Sequence, residues 1–127
     1  MKRFNFIATD YVVPINGIYV SPTHFVSQFV SLKGVWSAAI TIYTKGTHAS
    51  CTAALTFIFA SWNSIRDMWD TTAYFTTTFT MIGTTALQKT VTFDPCPEVI
   101  KLLSVANPET VTGYTASVNA SLVCHYV

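Results

Sequence analysis

Apolar and polar residues alternate one by one along most of this chain, a period of two that fits strands and not helices. From residue 114 to 126 one parity reads Tyr114, Ala116, Val118, Ala120, Leu122, Cys124 and Tyr126, and the other Thr115, Ser117, Asn119, Ser121, Val123 and His125. Successive side chains of a strand point to opposite faces, so the first set faces a core and the second, mostly polar, faces outward. A strand of this length is expected to be central in its sheet or to swap sheets along its course.

The same reading places further strands upstream. Residues 35–44 put Trp36, Ala38, Ile40 and Ile42 on one side and end at the turn Lys45-Gly46-Thr47. Residues 53–60 put Leu55, Phe57 and Phe59 in one parity, and the polar connection between the two segments predicts a hairpin. Residues 73–82 are dense in β-branched and aromatic side chains and stop at Gly83. Residues 89–93 are stopped by Asp94-Pro95-Cys96-Pro97, whose prolines cannot donate to a ladder. Residues 99–105 run into the turn Asn107-Pro108-Glu109.

Residues 1–24 differ in character, with Pro14, Gly17 and Pro22 set among the apolar pieces Tyr11-Val12-Val13, Ile15 and Ile18-Tyr19-Val20. They are expected to form an N-terminal arm or edge strands beside a sandwich domain of residues 25–127. One short segment, 61–70, suits either a helix capped by Ser61, with Ile65, Met68 and Trp69 on one face, or an irregular loop. No repeat of solenoid period is present. The expected fold is all-β, an antiparallel β-sandwich or jelly roll of about seven or eight strands with an extended N-terminal arm.

Composition narrows the function. A chain of 127 residues has room for one domain, and only 10% of this one is charged, with a net charge of +1, where soluble domains average about 25%. The basic residues Lys2, Arg3, Lys33, Lys45, Arg66, Lys89 and Lys101 are dispersed, which argues against a nucleic-acid partner. The longest apolar stretch, 53–62, is interrupted by Thr56 and Ser61 and falls short of the roughly 20 residues that a spanning helix needs, so no membrane partner is expected. Lys2 and Arg3 open the chain, but Asn5, Thr9 and Asp10 break up any signal-peptide core, so the chain is expected to stay in the compartment where it is made. There Cys51, Cys96 and Cys124 read as small buried hydrophobes, and the Asn119-Ala120-Ser121 sequon goes unused. The low charge, with nine Phe, six Tyr and three Trp, points to surface buried against other chains in an obligate assembly. A monomer coated with Thr and Ser is the alternative.

Chemistry finds little foothold. His48 and Cys51 with Cys124 and His125 have the donor types for zinc, but Cys124 and His125 are strand neighbours that point apart. Of Asp10, Asp67, Asp70, Asp94, Glu98 and Glu109, only Asp67 and Asp70 cluster, beside Arg66. No nucleophile elbow, P-loop or dinucleotide fingerprint occurs, so neither enzymatic activity nor a cofactor is expected. The one place open to a binding function is the aromatic loop of Trp62, Trp69 and Tyr74, where exposed rings would suit sugars but polar groups are few beyond Asn63, Arg66, Asp67 and Asp70; the alternative has Trp62 continue the strand of Leu55, Phe57 and Phe59 and close one end of the core.

The segments Val35-Trp36-Ser37-Ala38-Ala39-Ile40-Thr41-Ile42, Ala54-Leu55-Thr56-Phe57-Ile58-Phe59, Val91-Thr92-Phe93-Asp94, Ile100-Lys101-Leu102-Leu103-Ser104-Val105-Ala106-Asn107 and Ala116-Ser117-Val118-Asn119-Ala120-Ser121-Leu122-Val123-Cys124 together resemble the small all-β virion proteins of tailed bacteriophages. The resemblance spans residues 35–126 in pattern and composition. It implies a capsid decoration (cement) protein, a homo-oligomer such as a trimer in the virion that binds the major capsid protein; a neck, tail or receptor-binding component and a carbohydrate-binding sandwich are the alternatives. The expected partner contacts are Tyr11, Val12, Val13, Ile15, Ile18, Tyr19, Trp69 and Tyr74.

Overall fold

A computed structural model describes residues 2–7, 11–20, 30–63, 65–93 and 99–126. They form eleven strands and no helix: β1 (Lys2–Asn5), β2 (Tyr11–Val13), β3 (Gly17–Val20), β4 (Val30–Ser31), β5 (Val35–Gly46), β6 (Ala54–Asn63), β7 (Met68–Trp69), β8 (Phe75–Thr80), β9 (Leu87–Phe93), β10 (Val99–Asn107) and β11 (Ala116–Tyr126). In one sheet β1 and β2 lie end to end along β11, followed by β5 and β9. In the other, β3 and β4 share one side of β10, β6 lies on its far side, and β7 and β8 flank β6.

Every strand pair is antiparallel, and the pairs are nested. The hairpin β6·β8 is innermost, then β5·β9, then β10 with β3 and β4, and outermost β11 with β1 and β2. Successive pairs fall in alternate sheets, so the chain is one long hairpin rolled up, the jelly-roll form of the sandwich. This arrangement corrects the expected hairpin between residues 35–44 and 53–60. β5 and β6 stand in opposite sheets, joined by a crossover at 47–53. Alternation tells a strand which face is buried, not which strand is its neighbour.

The inner faces close over one core. Ala38, Ile40 and Ile42 of β5 and Ala116, Val118, Ala120, Leu122 and Cys124 of β11 meet Leu55, Phe57 and Phe59 of β6 and Ile100, Leu102 and Val105 of β10. Small residues on β11 leave room for rings from the facing sheet. Phe6 sets its edge on Phe59 at 5.5 Å, and Phe59 stacks on Phe75 at 4.6 Å. Phe6, Ile7 and Val13 belong to this core, so the N-terminal segment is woven into the sandwich through β1, β2 and β3.

Two local expectations are corrected. Segment 61–70 is not helical: β6 runs on to Asn63, the chain turns with Asp67 at φ 54°, and β7 returns beside β6. Ser61 does not cap a helix. Its hydroxyl donates to Asp70 Oδ2 at 2.9 Å, while Asp70 N–H donates to the Ser61 carbonyl at 2.9 Å, pinning the base of the turn. Trp36 does not share the inner face with Ala38. A register shift between His125 and Tyr126 pairs Val35 with Tyr126, which buries Val35 and leaves Trp36 58% exposed.

At one end of the sandwich the crossovers are tied together. Gly46 lies so close to the Gly83 carbonyl and to Cys51 that a Cβ there would collide with both, and Gly83 N–H donates to the Cys51 carbonyl at 2.9 Å. Asn107 is buried; its Oδ1 accepts from Glu109 N–H at 3.1 Å, and its Nδ2 donates to the carbonyls of Tyr114 at 3.4 Å and Val13 at 3.5 Å. Thr44, also buried, has a hydroxyl without a partner. Asn107→Ala is expected to lower stability by about 1–3 kcal/mol, whereas Thr44→Val, which keeps the shape and removes the unpaired hydroxyl, should raise it by about 1 kcal/mol. Urea midpoints measure both; a fall for Thr44→Val would mean that the hydroxyl is engaged after all.

Candidate functional site

The outward positions of the β1–β11–β5–β9 sheet converge on an open cleft of about 240 Å³ lined by Arg3, Thr41, Tyr43, Gln88, Asn119 and Ser121. Register explains the convergence. Tyr43 of β5 lies between Asn119 of β11 and Gln88 of β9, and Thr41, one pleat along, lies between Ser121 and Thr90. Thr41 and Thr90 share a hydroxyl hydrogen bond of 3.1 Å. Arg3 enters from the edge, where β1 pairs it with Val123.

The cleft combines one phenol ring, two carboxamides and two aliphatic hydroxyls with one guanidinium. Amides and hydroxyls both donate and accept, so this floor matches a ligand whose groups do the same. Further along the face the exposed Trp36 ring lies 5.9 Å from His125.

The residues expected from sequence are scattered. Val13 is fully buried and faces the core, which removes its side chain from any partner contact of the folded chain. Tyr11 packs against the core, Ile15 is half-buried, and Val12 and Ile18 are exposed. The side chains of Tyr19 and Trp69 lie outside the described set, although the backbone pairs Trp69 with Trp62. Tyr74 is exposed at the sandwich end, edge-on to Phe75 at 6.1 Å. The aromatic loop is therefore distinct from the cleft. The cleft residues were missed because each stands alone in its strand; only the pairing of β5 with both β9 and β11 assembles them.

Other candidates occupy separate places. His48 stacks on Tyr114 at 4.4 Å, and its Nδ1 accepts from Ser50 N–H at 3.0 Å. Cys124 points into the core while its neighbour His125 faces Trp36. Among the described residues no three His, Cys, Asp or Glu side chains come together as a metal site. Asp10, Asp94, Cys96 and Glu98 lie outside those residues.

No family model matches the sequence, and no curated protein is similar to it. Among solved structures, the K1 cleaved adhesin domain of Lys-gingipain from Porphyromonas gingivalis W83 is similar over 98% of both chains, at 10% identity and a TM-score of 0.51. A Bacillus endospore appendage subunit, of a family of disulfide-linked pili, is similar over 99% of this chain and 86% of its own, at 10% identity and a TM-score of 0.46. The CBM22-1 xylan-binding domain of Paenibacillus barcinonensis Xyn10C is similar over 99% and 94%, at 13% identity and a TM-score of 0.42.

Burial raises the pKa of the Cys124 thiol and so depletes its reactive thiolate at neutral pH. Cys51 is equally enclosed, its Sγ 3.7 Å from the Thr115 carbonyl. Both are expected to resist alkylation in the native protein and to label fully in denaturant, as read by peptide mass mapping. Rapid native labelling of Cys124 would show that the sheet opens.

Proposed function

We propose that this chain is a recognition module that binds glycans on the outer face of its β1–β11–β5–β9 sheet. Jelly rolls serve as lectin and capsid domains alike, so the fold does not choose between them and the site must. The observation that carries the reading is the convergence of the Tyr43 ring with Gln88, Asn119, Thr41 and Ser121 in one open cleft. A sugar offers hydroxyls that donate and accept, matched by amides and hydroxyls, and a C–H face that packs on an aromatic ring. An open floor also admits the middle of a chain as well as its end.

Tyr43→Ala and Asn119→Ala are each expected to weaken glycan binding about tenfold or more. Binding is found on a glycan array and measured by calorimetry, with thermal melts to confirm folding. Trp69→Ala tests the 61–74 loop in the same assay and should leave affinity unchanged. Full binding by both cleft variants, with loss in Trp69→Ala, would move the site to the loop.

A second reading rests on the other sheet. Its six strands contain a single charged residue, Lys101, whose pKa burial lowers. Its outward positions include Ile18, Thr56, Ile58, Thr76, Thr78 and Ala106. A charge-poor face of this kind suits contact between subunits. On this reading the chain is a virion component, either a decoration protein docked on a major capsid protein or a receptor-binding part, with the cleft facing outward. Light scattering should then give a trimer or larger assembly that co-sediments with capsid shells. A concentration-independent monomer that leaves shells bare would remove this reading and leave the glycan face standing.

A further inference from the structure

We propose that the glycan bound by the cleft is acidic and carries a carboxylate that Arg3 recognises; this rests on the glycan reading above. Charge is divided unevenly between the sheets. The five strands β1, β2, β5, β9 and β11 contain Lys2, Arg3, Lys45 and Lys89 and not one Asp or Glu. The other sheet carries only Lys101. Of the four cations in the first sheet, Arg3 and Lys45 stand in the outward parity, registered with Val123 and Ser117, so the strand-borne charge on the outer face is entirely positive.

Position within that face matters more than the count. Lys2 and Lys89 are registered with the core-facing Cys124 and Ile42 and so stand in the opposite parity, Lys2 over the Phe4 ring with its ammonium 5.2 Å from the centroid. Arg3 lines the cleft itself. Along β11, Arg3 is registered at Val123, Tyr43 at Asn119 and Lys45 at Ser117, so the two cations bracket the Tyr43–Asn119 pair along the strand direction. Arg3 and Lys45 are both exposed, and the strands of the sheet bring no carboxylate to neutralise either.

A neutral sugar would leave that guanidinium facing only solvent. A guanidinium presents a planar fork that matches a carboxylate with two parallel hydrogen bonds, a geometry that an ammonium cannot reproduce. The neutral floor would hold the sugar hydroxyls while Arg3 takes the acid group and Lys45 adds a longer-range attraction. The class implied is a glycan containing uronic or other carboxylate-bearing sugars.

The experiment measures, by calorimetry on the full chain, a hexuronic acid oligosaccharide, its carboxyl-reduced counterpart and a sulfated oligosaccharide of similar length. The acidic sugar is expected to bind about tenfold or more tighter than the reduced one, with the advantage shrinking as salt rises. In Arg3→Gln the ratio of acidic to reduced affinity should fall towards one, and in Arg3→Lys it should be only partly restored. Thermal melts confirm that the variants fold. Equal binding of acidic and reduced sugars would overturn the acidic assignment while leaving the glycan face intact. Tighter binding of the sulfated sugar would overturn the carboxylate in favour of a sulfate. Failure of all three, together with a blank glycan array, would instead overturn the glycan reading itself.

Discussion

The antiparallel ladder between β5 and β11 is the constraint from which the rest follows. It runs from Gly46 paired with Ala116 to Val35 paired with Tyr126, and each residue of the alternation has one allowed side. A slip of one residue would turn Ile40, Ile42, Val118 and Leu122 to water and drive Tyr43 and Asn119 into the core. Burial of one parity therefore also fixes the cleft, because the polar parity has nowhere else to go. Core and candidate site are two faces of a single register.

The two strands of that ladder were legible in the sequence, and their pairing with each other was not. The strand expected at 114–126 is β11, and the segments at 35–44, 53–60, 73–82, 89–93 and 99–105 each contain most of one observed strand. Periodicity is local, so it survives without knowledge of the fold. Pairing is not local. The polar stretch after Gly46 reads equally as a hairpin loop or as a crossover, and only the packing of Gly46 against Gly83 and Cys51 decides for the crossover. The spacing of Ile65, Met68 and Trp69 also misled, because a tight strand return can place apolar residues at helical intervals. Strict alternation turns Trp36 inward because it cannot register the shift beside it.

The site shows the same limit in sharper form. Aromatic residues near the 61–74 loop drew attention because they cluster in sequence, whereas Arg3, Tyr43, Gln88 and Asn119 come from four strands that only the jelly roll brings side by side. Average composition hid the other half of the argument. A charge content of 10% suggests a uniformly bland surface, yet charge is partitioned between the sheets, nearly absent from one and wholly basic on the strands of the other.

The nesting of strand pairs also sets the order in which the molecule can be made. While a ribosome is still adding residues, β6 and β8 already have each other and can pair across a short span. β1 and β2 precede them in the chain but have no partner until β11 emerges more than a hundred residues later. Until then Phe6, Val13, Ile40 and Ile42 stay uncovered on a nascent chain, where exposed apolar strands invite aggregation or chaperone capture. Closure of the five-stranded sheet thus waits for β11, and until that strand emerges the half-built sandwich keeps an open edge.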